Sequence, residues 1–349
     1  MRWYSRFWRD NIHIMKRRGV RRTVARGWWG YRPEKSRARA PAKLLVAFAV
    51  LSCLLAPGQA TAQGAITVPS TTNSYYERTA NARALYLQGE QAGKNGAQGI
   101  VILDFGRPGY DGADFGTMAY NGAFVPFSSI ATAVESYISA YYRWAPAGTS
   151  LDVAIGTNNS CGTGQPCGAI ANCGCPDEPL SFFTWGAQLG DEVEEVGAWA
   201  SSLREVNRYT DDVRVVAADD AEPAYDPAYI NTYDVLAGYA SAVDGKWPAM
   251  VDYGSADGFF WTESQLLQVA YGFPPDVPMP QIYYPFQAEQ WGALLSFAKT
   301  QRRELIDIFG VLTTGAGTNP PSTAYVDMLG AAEGVTDQDR IPWLSTINR

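Results

Sequence analysis

The 349-residue chain carries 28 Lys+Arg against 35 Asp+Glu, with 46% apolar residues, five Cys and a single His, enough for one large domain or two small ones. Fourteen of the basic residues lie between Arg2 and Lys43, so the chain beyond residue 62 keeps 14 basic against 33 acidic residues, a net charge of −19. That balance excludes nucleic-acid binding through a basic surface, and because the histidine is His13, the remainder has no imidazole for a Ser-His-Asp or Cys-His site or for zinc ligation.

The first predicted element is an export signal. A basic, Trp-rich region reaches Lys43, an apolar run follows at 44–55, and Ala60-Thr61-Ala62-Gln63 offers a small-x-small cleavage site after Ala62. Residues 1–62 are therefore expected to be a basic leader and signal peptide, and residues 63–349 a single secreted domain, extracellular or cell-wall associated. The apolar run is too short to span a bilayer comfortably, so no membrane attachment is expected after cleavage. Met15, followed by Lys16-Arg17-Arg18, offers a more ordinary start, and Cys53 within the run is read as incidental.

From residue 99 onward, short apolar runs alternate with segments of helical period. Residues 99–104 (GIVILD) predict a buried strand, and 128–142 a helix with Ile130, Val134, Tyr137, Ile138 and Tyr141 on one face. Residues 151–156 are the next strand. The loop at 157–184 then holds Cys161, Cys167, Cys173 and Cys175, whose spacing matches no common zinc pattern. In an exported chain they are expected to form two disulfides that staple the loop. Helix 185–203 places Val193, Val196, Ala200 and Leu203 inward and Asp191, Glu192, Glu194 and Glu195 toward water. Strand 213–218, helix 229–243, strand 249–253, helix 262–271, strand 280–284, helix 288–303, strand 306–312 and helix 323–329 complete the series.

Strands that are apolar throughout, each followed by an amphipathic helix, imply an α/β fold with a parallel sheet covered by helices. No G-x-G-x-x-G or G-K-[ST] loop opens any helix, which removes the main support for a nucleotide-binding open sheet. The expected architecture is a (β/α)8 TIM-type barrel. It is expected to be incomplete or distorted, because only six units are evident and 84–87 is a poor candidate for another strand.

Sites in such barrels form at the carboxyl ends of the strands, which here present Asp104, Asn158 with Asn159, Asp219-Asp220-Ala221-Glu222, Asp252-Tyr253, Tyr283-Tyr284 and Thr313-Thr314. Carboxyls, amides and phenols without thiol or imidazole suit acid-base work on a glycosidic bond, and equally suit sugar binding without hydrolysis. No metal and no cofactor are expected. Asp220 and Glu222, two residues apart, point to the same side of a strand and Asp219 to the other. Two like charges that close raise one pKa, as a general acid requires. The competing interpretation has Asp219 and Asp220 capping a turn and Glu222 solvated. Asp104 ends an apolar strand, a costly place for a charge unless it lines a cavity. Asp252, Tyr253, Tyr283 and Asn158 are the candidate substrate-binding groups, and Trp261, in Phe259-Phe260-Trp261, is the candidate sugar platform.

With Asp104 at a strand end, Asp220-Ala221-Glu222 as an acidic D-x-E, and Tyr253 and Tyr283 at later strand ends, the layout from about 99 to 330 resembles secreted chitinase-like and muramidase-like glycoside hydrolases. The resemblance implies a barrel acting on an amino-sugar polymer, with a carboxylate pair at a strand end. Only the end of the longer D-x-x-D-x-D-x-E pattern is present. The expectation is a secreted glycoside-hydrolase-like protein with Glu222, Asp220 and Asp104 as catalytic carboxyls and a carbohydrate as partner. The alternative is a non-catalytic, secreted glycan-binding or cell-surface interaction protein.

Overall fold

The computed structural model describes residues 66–160, 182–315 and 318–348. The leader expected at 1–62 and the four cysteines expected to staple the loop at 157–184 lie outside these residues. The described elements run in chain order as β1 (Thr72–Tyr76), α1 (Ala82–Lys94), β2 (Gly99–Asp104), β3 (Arg107–Tyr110), β4 (Phe115–Met118), β5 (Phe124–Pro126), α2 (Phe127–Trp144), β6 (Ser150–Asn158) and α3 (Phe182–Asn207). They continue with β7 (Asp212–Asp220), α4 (Tyr229–Ala242), β8 (Met250–Asp252), α5 (Glu263–Tyr271), β9 (Asp276–Pro278), α6 (Pro285–Phe297), β10 (Gly310–Thr314), α7 (Pro321–Ala332) and β11 (Trp343–Asn348).

Eight strands form one all-parallel sheet in the order β9-β8-β7-β6-β2-β1-β11-β10, while β3, β4 and β5 make a small antiparallel sheet inserted after β2. The large sheet follows chain order from β1 to β9, and its first strand lies beside the last, with Thr72 opposite Ser345. Beyond β9, Gln281 makes a parallel bridge to Leu312 of β10. Ile282 N–H donates to Leu312 O at 2.8 Å and Leu312 N–H to Pro280 O at 2.9 Å.

Alternation along the strands divides the apolar side chains between two faces. Ile100, Ile102, Ala154, Val216, Ala218, Val251, Tyr253, Leu312 and Ile347 form an inner cluster. Val101, Leu103, Val153, Ile155, Val215, Ala217, Met250 and Val311 pack outward in the larger core with the helices. The predicted helical stripes hold for Ile130, Val134, Tyr137, Ile138 and Tyr141 on α2 and for Val193, Val196 and Ala200 on α3, all fully buried, while Leu203, expected inward with them, is half-buried against the core.

Three expectations need correction. Two strands, β1 and β11, are absent from the series read in the sequence, and residues 84–87 belong to helix α1 rather than to any strand. The strand expected at 280–284 is Asp276–Pro278, with only the Gln281 bridge beyond it. Prolines 274, 275, 278 and 280 disguise this segment as a loop, and β9 tolerates proline because its ladder has a neighbour on one side only. The strand expected at 306–312 is Gly310–Thr314, Ile306 and Ile308 being buried in the outer core instead.

Helices α3 and α4 touch backbone to backbone. A Cβ on Gly186 would lie 2.0 Å from Val235 O, and one on Gly238 would lie 1.9 Å from Phe183 O, so neither position accepts a side chain without separating the helices. Overpacking of this kind costs about 3 kcal/mol, and at roughly 2–4 °C per kcal/mol for a domain of this size, Gly238→Ala is expected to lower the melting temperature by roughly 6–12 °C. A circular-dichroism melt indistinguishable from wild type would show that the helices have room to part.

Candidate functional site

The inner face of the sheet changes character toward the carboxyl ends of its strands. Below lie the apolar residues just described; above them the inward positions are Asp104 on β2, Asn158 on β6, Asp220 on β7, Tyr253 after β8, Gln281 and Tyr283 after β9, and Tyr76 on β1, each in phase with inner-cluster residues of its own strand or neighbouring segment.

Asp104 is fully buried and receives three hydrogen bonds. Tyr120 OH donates to Oδ2 at 2.6 Å, Tyr253 OH to Oδ2 at 2.7 Å and Gly106 N–H to Oδ1 at 2.8 Å. Burial pushes its carboxyl up to about 6 in spite of these donors. Tyr120 arrives from the turn between β4 and β5, and its hydroxyl also accepts from Asn158 Nδ2 at 2.9 Å. Its ring is 42% exposed and meets Tyr76 edge-on at 5.1 Å. The Tyr76 and Tyr283 hydroxyls lie 3.3 Å apart. These contacts give Asp104 a roof of phenols that is itself open to solvent at Tyr120.

Asp220 and Glu222 are brought together as their spacing suggests. Gln281 Nε2 donates to Asp220 Oδ1 at 3.2 Å and also to Glu222 Oε1. Asp220 is buried and Glu222 half-buried. Burial holds Asp220 well above the ordinary carboxylate range, and the adjacent charges of Glu222 and Asp104 add to it. Glu222 is raised by burial, while the Gln281 hydrogen bond opposes the rise. The Glu222 backbone is fixed separately: its N–H donates to Asn159 Oδ1 at 3.0 Å, and Asn159 Nδ2 donates to its carbonyl at 3.1 Å and to Thr232 Oγ1 at 3.0 Å.

Two sequence-predicted residues are not in this cleft. Asp252 alternates with Val251 and Tyr253, both of the inner cluster, so its carboxyl faces outward beneath the helices, where Gly254 N–H donates to it at 3.0 Å. It lies in register with Asp219 on β7, which also faces outward and accepts from Thr157 Oγ1 at 3.2 Å. Burial pushes Asp219 up to about 7 and Asp252 up to about 8. Trp261 is 3% exposed and packs edge-on against Tyr229 at 5.8 Å, so it is core rather than a sugar platform. Gly258, at φ 63°, reverses the chain there, leaving Phe259 at 82% exposure while Trp261 turns in ahead of the Thr262 cap of α5.

Tyr76, Tyr120, Asn159 and Gln281 complete the cleft. Of these only Asn159 stands among the strand-end residues read from the sequence. Gln281 carries one usable signal, its two-residue phase with Tyr283, whereas nothing local announces that Tyr120 folds back over Asp104. Among the described residues no cluster of His, Cys, Asp and Glu is arranged to hold a metal ion, and no helix is long and apolar enough to cross a membrane.

The three donors to Asp104 give a direct test of the roof. Tyr253→Phe keeps the ring and removes a hydroxyl shared between Asp104 Oδ2 at 2.7 Å and Thr157 O at 3.0 Å, the hydrogen bond to the charged acceptor being worth about 1.5–3 kcal/mol. The loss is expected in urea unfolding at pH 8, where Asp104 is ionised, and is expected to shrink at pH 5. Equal losses at both pH values would show that the hydroxyl acts through Thr157 O rather than through the ionised Asp104.

No protein-family model matches this chain, and no curated protein is significantly similar to it.

Proposed function

We propose that the chain is a secreted (β/α)8 TIM-type barrel that hydrolyses a polysaccharide or cell-wall glycan by carboxyl acid-base catalysis. The barrel reading is supported by eight parallel strands in chain order, by β1 lying beside β11, and by the Gln281–Leu312 bridge between the outermost strands. The observation that carries the activity is the position of Glu222. It is a half-buried carboxyl, raised by burial and joined through Gln281 to the buried Asp220 at the strand ends, where such barrels keep their sites.

In this reading Glu222, its proton affinity raised by burial and by the charge of Asp257, protonates the leaving glycosidic oxygen, and Asp220, linked to it through Gln281, stabilises positive charge at the sugar when ionised. Asp104 is enclosed by its three donors, so it acts through Tyr120 and Tyr253 rather than on the substrate. Because only Glu222 of the three is open to solvent, the substrate's own acetamido group is the fitting nucleophile. Tyr76, Tyr120 and Tyr283 offer hydroxyls and ring surface to the sugar.

One observation favours the second reading, a glycan-binding protein without turnover: both partner carboxyls of Glu222 are closed off from solvent. Hydrolysis and binding of peptidoglycan, chitin and α- and β-linked glycan panels by wild type and Glu222→Gln separate the two. Turnover by wild type alone supports the hydrolase, binding by both forms without turnover supports the lectin-like reading, and neither binding nor turnover defeats both.

A further inference from the structure

The amide of Gln281 sits where two constraints meet. Its backbone belongs to the bridge with Leu312, and hydrogen bonds of 2.8 and 2.9 Å on either side fix the chain there. Its side chain is buried, and the single nitrogen Nε2 reaches both Asp220 Oδ1 and Glu222 Oε1. A primary amide nitrogen has two hydrogens roughly 120° apart, one for each acceptor, and no acceptor capacity of its own. Both carboxyl oxygens that face Gln281 are therefore acceptors.

We infer that Gln281 is a positioning residue for the Asp220–Glu222 pair, holding the facing oxygen of each carboxyl as an acceptor, so that the proton the pair retains is carried on an oxygen turned away from Gln281. For Glu222 that remaining oxygen is Oε2, on a side chain half open to the cleft. The inference builds on the reading of Glu222 as proton donor, because it explains how the proton is presented to a ligand instead of being trapped between the two acids. The other charged or titratable groups felt by the pair are Asp104 on β2, Asp219 on β7, Asp252 on β8 and Asp257 beyond it, with the phenols Tyr76, Tyr120, Tyr253 and Tyr283 around Asp220.

Asn159 makes the natural contrast. It grips Glu222 by the backbone N–H and C=O alone, so its loss disturbs position without removing a donor from the carboxyl. Gln281→Met keeps the length and volume of the side chain and removes both donors.

The decisive measurement is a carbon-13 titration of side-chain carboxyls in glutamate-labelled protein, with Glu222→Gln identifying the signal of Glu222. Removing a donor that favours the ionised form raises a carboxyl's midpoint. Gln281→Met is expected to move the Glu222 midpoint up by roughly one pH unit and to shift the alkaline limb of the pH–rate profile with it, while Asn159→Ala lowers the rate and leaves the midpoint in place. An unmoved midpoint in folded Gln281→Met, or an equal movement in Asn159→Ala, overturns the inference. If Gln281→Met does not fold, the wild-type Gln281 side-chain amide serves: its two proton signals must inflect at the pH where Glu222 titrates, and a flat response overturns the inference. A moved midpoint in a protein without turnover would sink the hydrolase reading and leave the role of Gln281 standing.

Discussion

Glu222→Gln is expected to lower turnover of a natural glycan by about 10²–10⁴-fold, the range that a positioned general acid contributes, while changing glycan affinity by less than about threefold. The substitution is nearly isosteric, and the carbonyl oxygen of the introduced amide can still accept from Gln281, so the strand end and its Asn159 clamp have no reason to move. What disappears is the transferable proton. The deficit is accordingly expected to shrink on an aryl glycoside whose leaving group departs without protonation, which a loss of binding would not produce. An equal deficit on both substrates would assign Glu222 to binding, and undiminished turnover would remove it from the chemistry.

The second large effect concerns pH and stability. Asp219 and Asp252 lie on neighbouring strands in register, both buried on the outer face, with midpoints raised to about 7 and about 8. Asp276, on the next strand, is also buried and held well above the ordinary range. A carboxyl raised in the folded state binds its proton more tightly there than in the unfolded chain, where the value is about 3.9. The stabilisation is therefore complete below about pH 4 and is lost as pH rises through 7 and 8. A falling melting temperature between about pH 5 and pH 8.5 is expected at constant ionic strength. Asp252→Asn removes one charge and places an amide donor on the side chain in register with Asp219. Since a tenfold difference in proton affinity between the folded and unfolded states is worth about 1.4 kcal/mol, this variant is expected to melt at least about 4 °C above wild type at pH 8.5, and to converge with it near pH 5. A wild-type melting temperature that is flat or rising over this range would mean that these acids are ionised in the fold.

Five of the eight sheet strands, β2, β6, β7, β8 and, a few residues early, β10, can be read as apolar runs because both of their faces are covered, whereas the prolines of β9 displace its expected position to 280–284. β1 and β11 cannot, for a physical reason visible in their inward positions. Thr72 and Ser74 of β1 and Ser345 of β11 are buried polar groups with partners inside the sheet, Ser74 Oγ lying 2.7 Å from Ser345 Oγ and Thr72 Oγ1 donating to the Ile100 carbonyl of β2. A search for apolar runs passes over such strands. In the cleft, the pairing of Asp220 with Glu222 follows from the two-residue period of a strand. The same period places Asp252 and Tyr253 on opposite faces, so the two cannot both meet one ligand, and Asp252 is the one that faces away. Tyr120 is illegible in the sequence because its partner, Asp104, lies on the far side of two short strands whose pairing has no strong apolar signature.

The place of β11 between β1 and β10 has a consequence for the order of events in synthesis. Until residues 343–348 have emerged, β1 lacks its partner on one side and β10 lacks this neighbour, although every other strand of the sheet is already available. A nascent chain thus waits with unpaired N–H and C=O groups, the kind of surface on which foreign strands add. The six residues of β11 act as a clasp, and any process that stalls or displaces them leaves a sheet able to recruit other chains in place of this strand.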